Sequence, residues 1–146
     1  MARSAAGNER GSLRARRLAF QALFEGEFSR RPATDALVRL LSDDEAPAEV
    51  SEHASAIVDG VAHRRDSLDG EIGRRAPAIP VAELGRVERS ILRGALFELL
   101  YSPAAPGPTV RDAVFLARTY AGDAASRLVG GVLRNVMKAS GEGDEG

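Results

Sequence analysis

Arg10, Arg14, Arg16 and Arg17 stand within eight residues of one another, and no acid interrupts the chain from Arg10 to Phe24. A guanidinium offers several fixed N–H donors and grips phosphate in pairs of hydrogen bonds. The segment reads as the start of a helix, whose N-terminal end carries a partial positive charge and favours acids in its first turn. Four cations there oppose the dipole with no compensation visible nearby, and such local conflicts gather at functional sites. A phosphate backbone would satisfy both the guanidiniums and the free N–H groups of that turn. The alternative is a solvated terminus in an arginine-rich chain.

Catalytic constellations are not visible. The chain has no cysteine, so disulfides, zinc–thiolate sites and thiol nucleophiles are excluded. His53 and His63 are the only histidines, both expected at exposed positions of one helix, and no carboxylate pair at ligand spacing accompanies them. Gly130-Gly131 follows no strand, as a phosphate loop would require. No base is spaced to activate a serine. The expectation is a chain that is not an enzyme and needs no cofactor or metal.

Charge is unevenly distributed behind a net value of −1. Residues 1–31 hold seven arginines against three acids, whereas residues 32–60 hold seven acids against Arg39 alone. The pattern gives a positive end suited to a polyanion and an acidic segment that would repel one. Arginine is the general choice here, since Lys138 is the only lysine; where the charges cluster carries more information than their type.

The elements that must position these residues are all helical. A length of 146 residues, 44% of them apolar, suits one domain with its own core. Met1–Gly11 lacks the apolar stretch of a signal peptide, and no apolar run approaches the roughly 18 residues of a membrane span; a cytoplasmic chain is expected. Apolar spacing predicts helices near 13–28, 34–41, 48–72, 84–100, 109–120 and from 123 to about 136. Pro32 breaks the first, and the acidic turn Ser42–Pro47 follows the second. Pro77 and Pro80 bracket a connector. Three prolines between Pro103 and Pro108 are expected to keep that stretch out of helix. Thr109 with Asp112 would form a capping box opening the fifth helix, and Asp123 would cap the last. Residues 1–11 and 140–146 are expected to be flexible tails around one domain, 12–139.

The stretch from Leu84 to Leu100 organises the whole. Leu84, Val87, Ile91, Leu92, Ala95, Leu96, Leu99 and Leu100 form an apolar stripe, and Phe97 extends it round the helix, so this helix should be central. Glu88 falls inside the stripe, where an unpaired carboxylate would be costly to bury.

Arg14-Ala-Arg-Arg-Leu-Ala-Phe-Gln-Ala-Leu-Phe resembles the opening helix of the NusB family of bacterial transcription antitermination factors. Leu84-Gly-Arg-Val-Glu-Arg-Ser-Ile-Leu-Arg-Gly-Ala-Leu-Phe-Glu-Leu resembles its central helix. Arg111-Asp-Ala-Val-Phe-Leu-Ala-Arg, then Tyr120 and Leu128-Val-Gly-Gly-Val-Leu, resemble its N-E-A-V-E-L-A-K and F-V-N-G-V-L segments. These segments come in order and cover nearly the whole chain.

The resemblance implies an all-α fold of six to seven helices in two packed sub-bundles, in a monomer or homodimer with no membrane attachment. It implies binding of boxA-type RNA together with the ribosomal protein NusE, within an RNA polymerase complex that suppresses termination in ribosomal-RNA operons. It places RNA at Arg14, Arg16 and Arg17, with Gln21 close behind, and Arg10 extends that positive strip towards the terminus. Glu88 matches a family glutamate near the NusE-facing surface, which offers an alternative to burial. The chain departs from the family pattern at Arg111-Asp112, Ala124, Leu128 and Gly130, positions at or near the RNA surface, and Leu128 removes a possible stacking ring. Two alternatives to the main reading are a protein-binding adaptor with a weakened RNA surface and a relative of the domain fused to ribosomal-RNA methyltransferases, although no catalytic domain is evident here.

Overall fold

The computed structural model describes the backbone of residues 5–76 and 78–145 and the side chains of 9–76 and 78–139. Pro77 and the ends of both expected tails, Met1–Ser4 and Gly146, lie outside the described residues. Among the described residues there are six α-helices, one 3₁₀ turn and no strand. The helices are α1 (Ala5–Gly26), α2 (Ala33–Asp43), α3 (Ala48–Arg75), α4 (Arg86–Tyr101), α5 (Pro106–Ala121) and α6 (Asp123–Glu145), with the 3₁₀ turn at Val81–Glu83. Helix therefore reaches into both segments expected as tails. The residues form two compact units, Met1–His63 and Arg64–Gly146, and the boundary falls inside α3. There Arg64 leaves helical geometry, at φ −123° and ψ 20°, and kinks the helix.

In the first unit α1 packs on α2. Ala15, Leu18, Ala19 and Ala22 of α1 and Leu37 of α2 are buried, following the i, i+3, i+4, i+7 rule for a helix with one buried face. Glu45 ends α2 in the left-handed region at φ 49°, where its N–H donates to the Ser42 carbonyl.

In the second unit α4 packs against both α5 and α6, and α5 packs against α6. Every residue from Ser90 to Leu96 is buried; a helix covered all round is a core helix, as the stripe predicted. It starts two residues later than the stripe does. Leu84 is extended, at φ −65° and ψ 146°, and Gly85 is the N-cap. Arg89 fastens this entry, its guanidinium donating to the carbonyls of Val81 at 3.3 Å and Leu84 at 3.2 Å.

The entry to α5 corrects the proline reading. Pro106 and Pro108 lie in its first turn, after Ala105 as N-cap. The first N–H groups of a helix have no intrahelical acceptor, so proline loses nothing there. No capping box forms: Thr109 is inside the helix and buried, and its hydroxyl donates to the Ala105 carbonyl at 2.9 Å.

Gly122 joins α5 to α6 at φ 97° and ψ −177°, a region essentially reserved for glycine. Its N–H donates to the carbonyls of Ala117 and Arg118, closing α5, while Asp123 is the first residue of α6 rather than its cap. Gly122→Ala should cost about 1–3 kcal/mol through backbone strain alone, because nothing lies within 4 Å of the added Cβ. Urea unfolding measures it.

Candidate nucleic-acid interface

Arg10, Arg14, Arg17 and Gln21 are spaced i, i+4, i+7 and i+11 along α1 and so share one face of the helix. Arg10 is exposed, and Arg14, Arg17 and Gln21 are half-buried. Arg16 points away from that strip and is only 8% exposed. The four arginines therefore do not act as one group. Three of them, with Gln21, form a strip about 16 Å long at ~1.5 Å per residue, and Arg16 belongs to the packed side of the helix.

Asp44 holds the middle of the strip. Arg14 donates from Nε to the Asp44 carboxylate at 2.6 Å and from its terminal nitrogen to the Asp44 carbonyl at 2.6 Å. Arg17 lies 3.6 Å from the other carboxylate oxygen. The compensation missing from the local sequence thus comes from 30 residues away, out of the acidic turn that was expected only to repel polyanions. Asp44 orients two guanidiniums and neutralises one charge. The Arg17 Nε is buried without a hydrogen-bond partner among the described residues, so the bound position of Arg17 does not use its full donor set.

The other arginines of this unit divide clearly. Arg39 pairs with Glu25 and lies 3.9 Å from Asp43. Its pKa is raised above the ordinary value, first by the hydrogen bond to Glu25 and then by that carboxylate's charge. Arg30 and Arg31 are exposed beside Phe28, which is 58% exposed.

Glu88 occupies the first turn of α4 and is half-buried. A Cβ at Gly85 would overlap its carboxylate, so the side chain folds back over the N-cap, where an acid is favoured by the helix dipole. This removes the expected burial cost: Glu88 lies at the helix entry, not within the packed stripe. The charged groups that are buried here are others, Arg93, Glu98 and Asp112. Arg93 makes a two-pronged pair with Asp69 of α3, at 2.8 and 2.9 Å. Glu98 had a sequence signal, since it lies three residues beyond Ala95 and seven beyond Ile91, on the core side of α4.

Of the positions where the chain departs from the expected pattern, Arg111 and Ala124 are exposed, Leu128 is half-buried and Gly130 is buried. Exposed rings remain on α5, with Phe115 50% and Tyr120 42% exposed. His63 is exposed and His53 half-buried on α3. No group of three His, Cys, Asp or Glu residues could hold a metal among the described residues, and among them no helix is long and apolar enough to cross a membrane.

Fold and site together define a small all-helical module whose most developed polar feature is a half-open arginine strip. The NusB family model matches residues 13–138, and the chain belongs to the NusB family. A transcription antitermination protein NusB of Dehalococcoides mccartyi is 33% identical over 127 residues, which cover 86% of this chain and 89% of that protein. The structure of T. maritima NusB matches with a TM-score of 0.81 and 27% identity, over 87% of this chain and 90% of that one. A chain in a crystal structure of antitermination factors NusB and NusE in complex with dsRNA matches with a TM-score of 0.80 and 25% identity, over 90% of this chain and 98% of that one.

Proposed function

We propose that this chain is a transcription antitermination factor that binds boxA-type RNA together with the ribosomal protein NusE, joins RNA polymerase and suppresses premature termination in ribosomal-RNA operons. The observation that carries this reading is the likeness, over 90% of the chain, to a protein crystallised with NusE and RNA. The role is binding rather than catalysis, without a cofactor, and its place is the cytoplasm, where nascent RNA is made. Residues 12–139 form the working domain in this reading, with α1 and α6 continuing beyond it on either side.

Arg10, Arg14 and Arg17 supply phosphate contacts, with Gln21 at the end of the strip. Arg16 supports the helix from its packed side. Asp44 holds Arg14 and Arg17 in place before RNA arrives, which lowers the entropy lost on binding while it competes with phosphate for the same donors. Glu88, at the entry of α4, contributes to the NusE-facing surface.

RNA affinity should fall with salt, each contacting arginine adding about 0.7 to the log–log slope for a single strand. Replacing Arg10 and Arg17 by alanine should flatten the slope by about 1.4 and leave melting nearly unchanged. Arg14 and Arg16 are unsuitable for this test, because one is bonded twice to Asp44 and the other is buried. Fluorescence anisotropy across a salt series reads the effect, and an unchanged slope would move the RNA contact off α1. Glu88→Ala should weaken NusE binding in titration calorimetry with only a small loss of stability, about 0.3–1 kcal/mol from the helix dipole.

A second reading has one observation in its favour. Asp44 already occupies Arg14, as expected of a protein-binding adaptor whose RNA surface has weakened. Binding of NusE by the wild type with no boxA retention, alone or with NusE, would select that adaptor.

A further inference from the structure

α6 carries a second basic strip, on a unit distinct from that of α1. Arg127, Arg134 and Lys138 are all exposed. They stand at i, i+7 and i+11, which at 3.6 residues per turn brings them back to one face of the helix, spread over about 16 Å of its axis. No acid occurs from Ala124 to Gly141.

None of the three makes an ion pair or side-chain hydrogen bond with another described residue. That sets them apart from Arg14 and Arg17 with Asp44, Arg74 and Arg75 with Glu71, and Arg93 with Asp69. Like charges at i and i+4, as at Arg134 and Lys138, disfavour a helix; the acids of α6 stand outside the strip, Asp123 four residues before Arg127 and Glu142 four residues after Lys138.

The surface between the cations is low and open. Gly131 lies four residues after Arg127 and three before Arg134, and nothing is within 4 Å of where its Cβ would stand. A Cβ at Gly130 would come within 2.9 Å of an Arg134 nitrogen, so the bare backbone there lets the Arg134 guanidinium lie along the helix. An extended polyanion can approach the helix backbone here and meet three cations in a row.

We infer that this face of α6 is a track for the phosphodiester backbone of single-stranded RNA, read by charge and not by base. It rests on the RNA-binding reading above and adds to it a phosphate contact along Arg127, Arg134 and Lys138, beyond the positions on this unit that the family resemblance sets near RNA. Anisotropy with a 12-nucleotide oligouridine and with a boxA-type RNA, each over a salt series, tests it in the full chain.

Arg127→Gln, Arg134→Gln and Lys138→Gln together should flatten the log–log slope by about 2 for both RNAs. The ratio of the two affinities and the melting temperature should not change. Arg127→Lys with Arg134→Lys should keep the wild-type slope. Gly131→Glu, which puts a carboxylate between the cations in open space, should lower affinity for both RNAs; it decides the question should the triple variant fail to fold. Wild-type binding with an unchanged slope in the triple variant, or with full affinity in Gly131→Glu, would overturn the track alone. No binding of either RNA by the wild type, with NusE present, would overturn the RNA-binding reading and the track with it.

Discussion

Leu92→Ala is expected to destabilise the protein by about 2–5 kcal/mol, the range for removing a buried leucine side chain and leaving part of its volume empty. Leu92 is fully buried and is the third residue of the seven-residue run of α4 that is covered on every side. With all faces covered, neighbours cannot collapse freely into the gap, which favours the upper half of the range. Ile91→Ala, at 4% exposure, should follow closely. Leu99, half-buried towards the end of the same helix, should lose clearly less on truncation. Urea unfolding of the three variants ranks them, and wild-type stability of Leu92→Ala would mean that α4 is not the centre of its unit.

The buried pair between α3 and α4 carries the second large effect, and it should be asymmetric. Asp69→Ala leaves the Arg93 guanidinium, 8% exposed, without its carboxylate. Removing one partner of a fully buried ion pair costs about 3–5 kcal/mol. Asp69 keeps 27% of its side chain exposed, so about 2–4 kcal/mol is expected here. Arg93→Met is the milder change: it removes the more deeply buried charge, fills much of the same volume, and leaves a carboxylate that water can reach. Asp69→Ala with Arg93→Met should recover most of the loss of Asp69→Ala, since the double variant buries neither charge of the pair. Equal losses in the two single variants would contradict this assignment of the burial cost to Arg93.

These two effects differ in how far the sequence announces them. The 3.6-residue period of apolar residues in α4 is local information, and it led directly to a central helix. The Arg93–Asp69 contact spans 24 residues, and no periodicity reports it. The same holds for Arg14 and Asp44, 30 residues apart; the opposing charges on α1 pointed to a partner without indicating that an internal carboxylate supplies part of it. The place of Arg16 follows from helix geometry. Residues at i, i+4, i+7 and i+11 share a face, and Arg16 lies off that series.

The differences between sequence pattern and structure at helix ends have a common origin. Pro106 and Pro108 carry no interior penalty, because both lie in the first turn of α5. Glu88 reads as mid-stripe in the sequence because the apolar pattern begins at Leu84, ahead of the Gly85 cap. Counting from Gly85 puts Glu88 at the third helical position, where an acid is favoured. The strip on α6 shows the reverse case. Its spacing was visible in the sequence, yet only the structure shows that Arg127, Arg134 and Lys138 are all exposed and that Gly131 leaves the face between them open.

An antitermination factor of the proposed kind lets RNA polymerase pass terminators in a boxA-dependent way. Single-round transcription through a terminator placed behind a boxA-type element, with NusE and the remaining antitermination factors present, measures this directly. Adding the chain should raise the read-through fraction, and scrambling the boxA element should abolish the increase. Read-through that is unchanged by the chain, or raised equally on the scrambled template, would contradict the account.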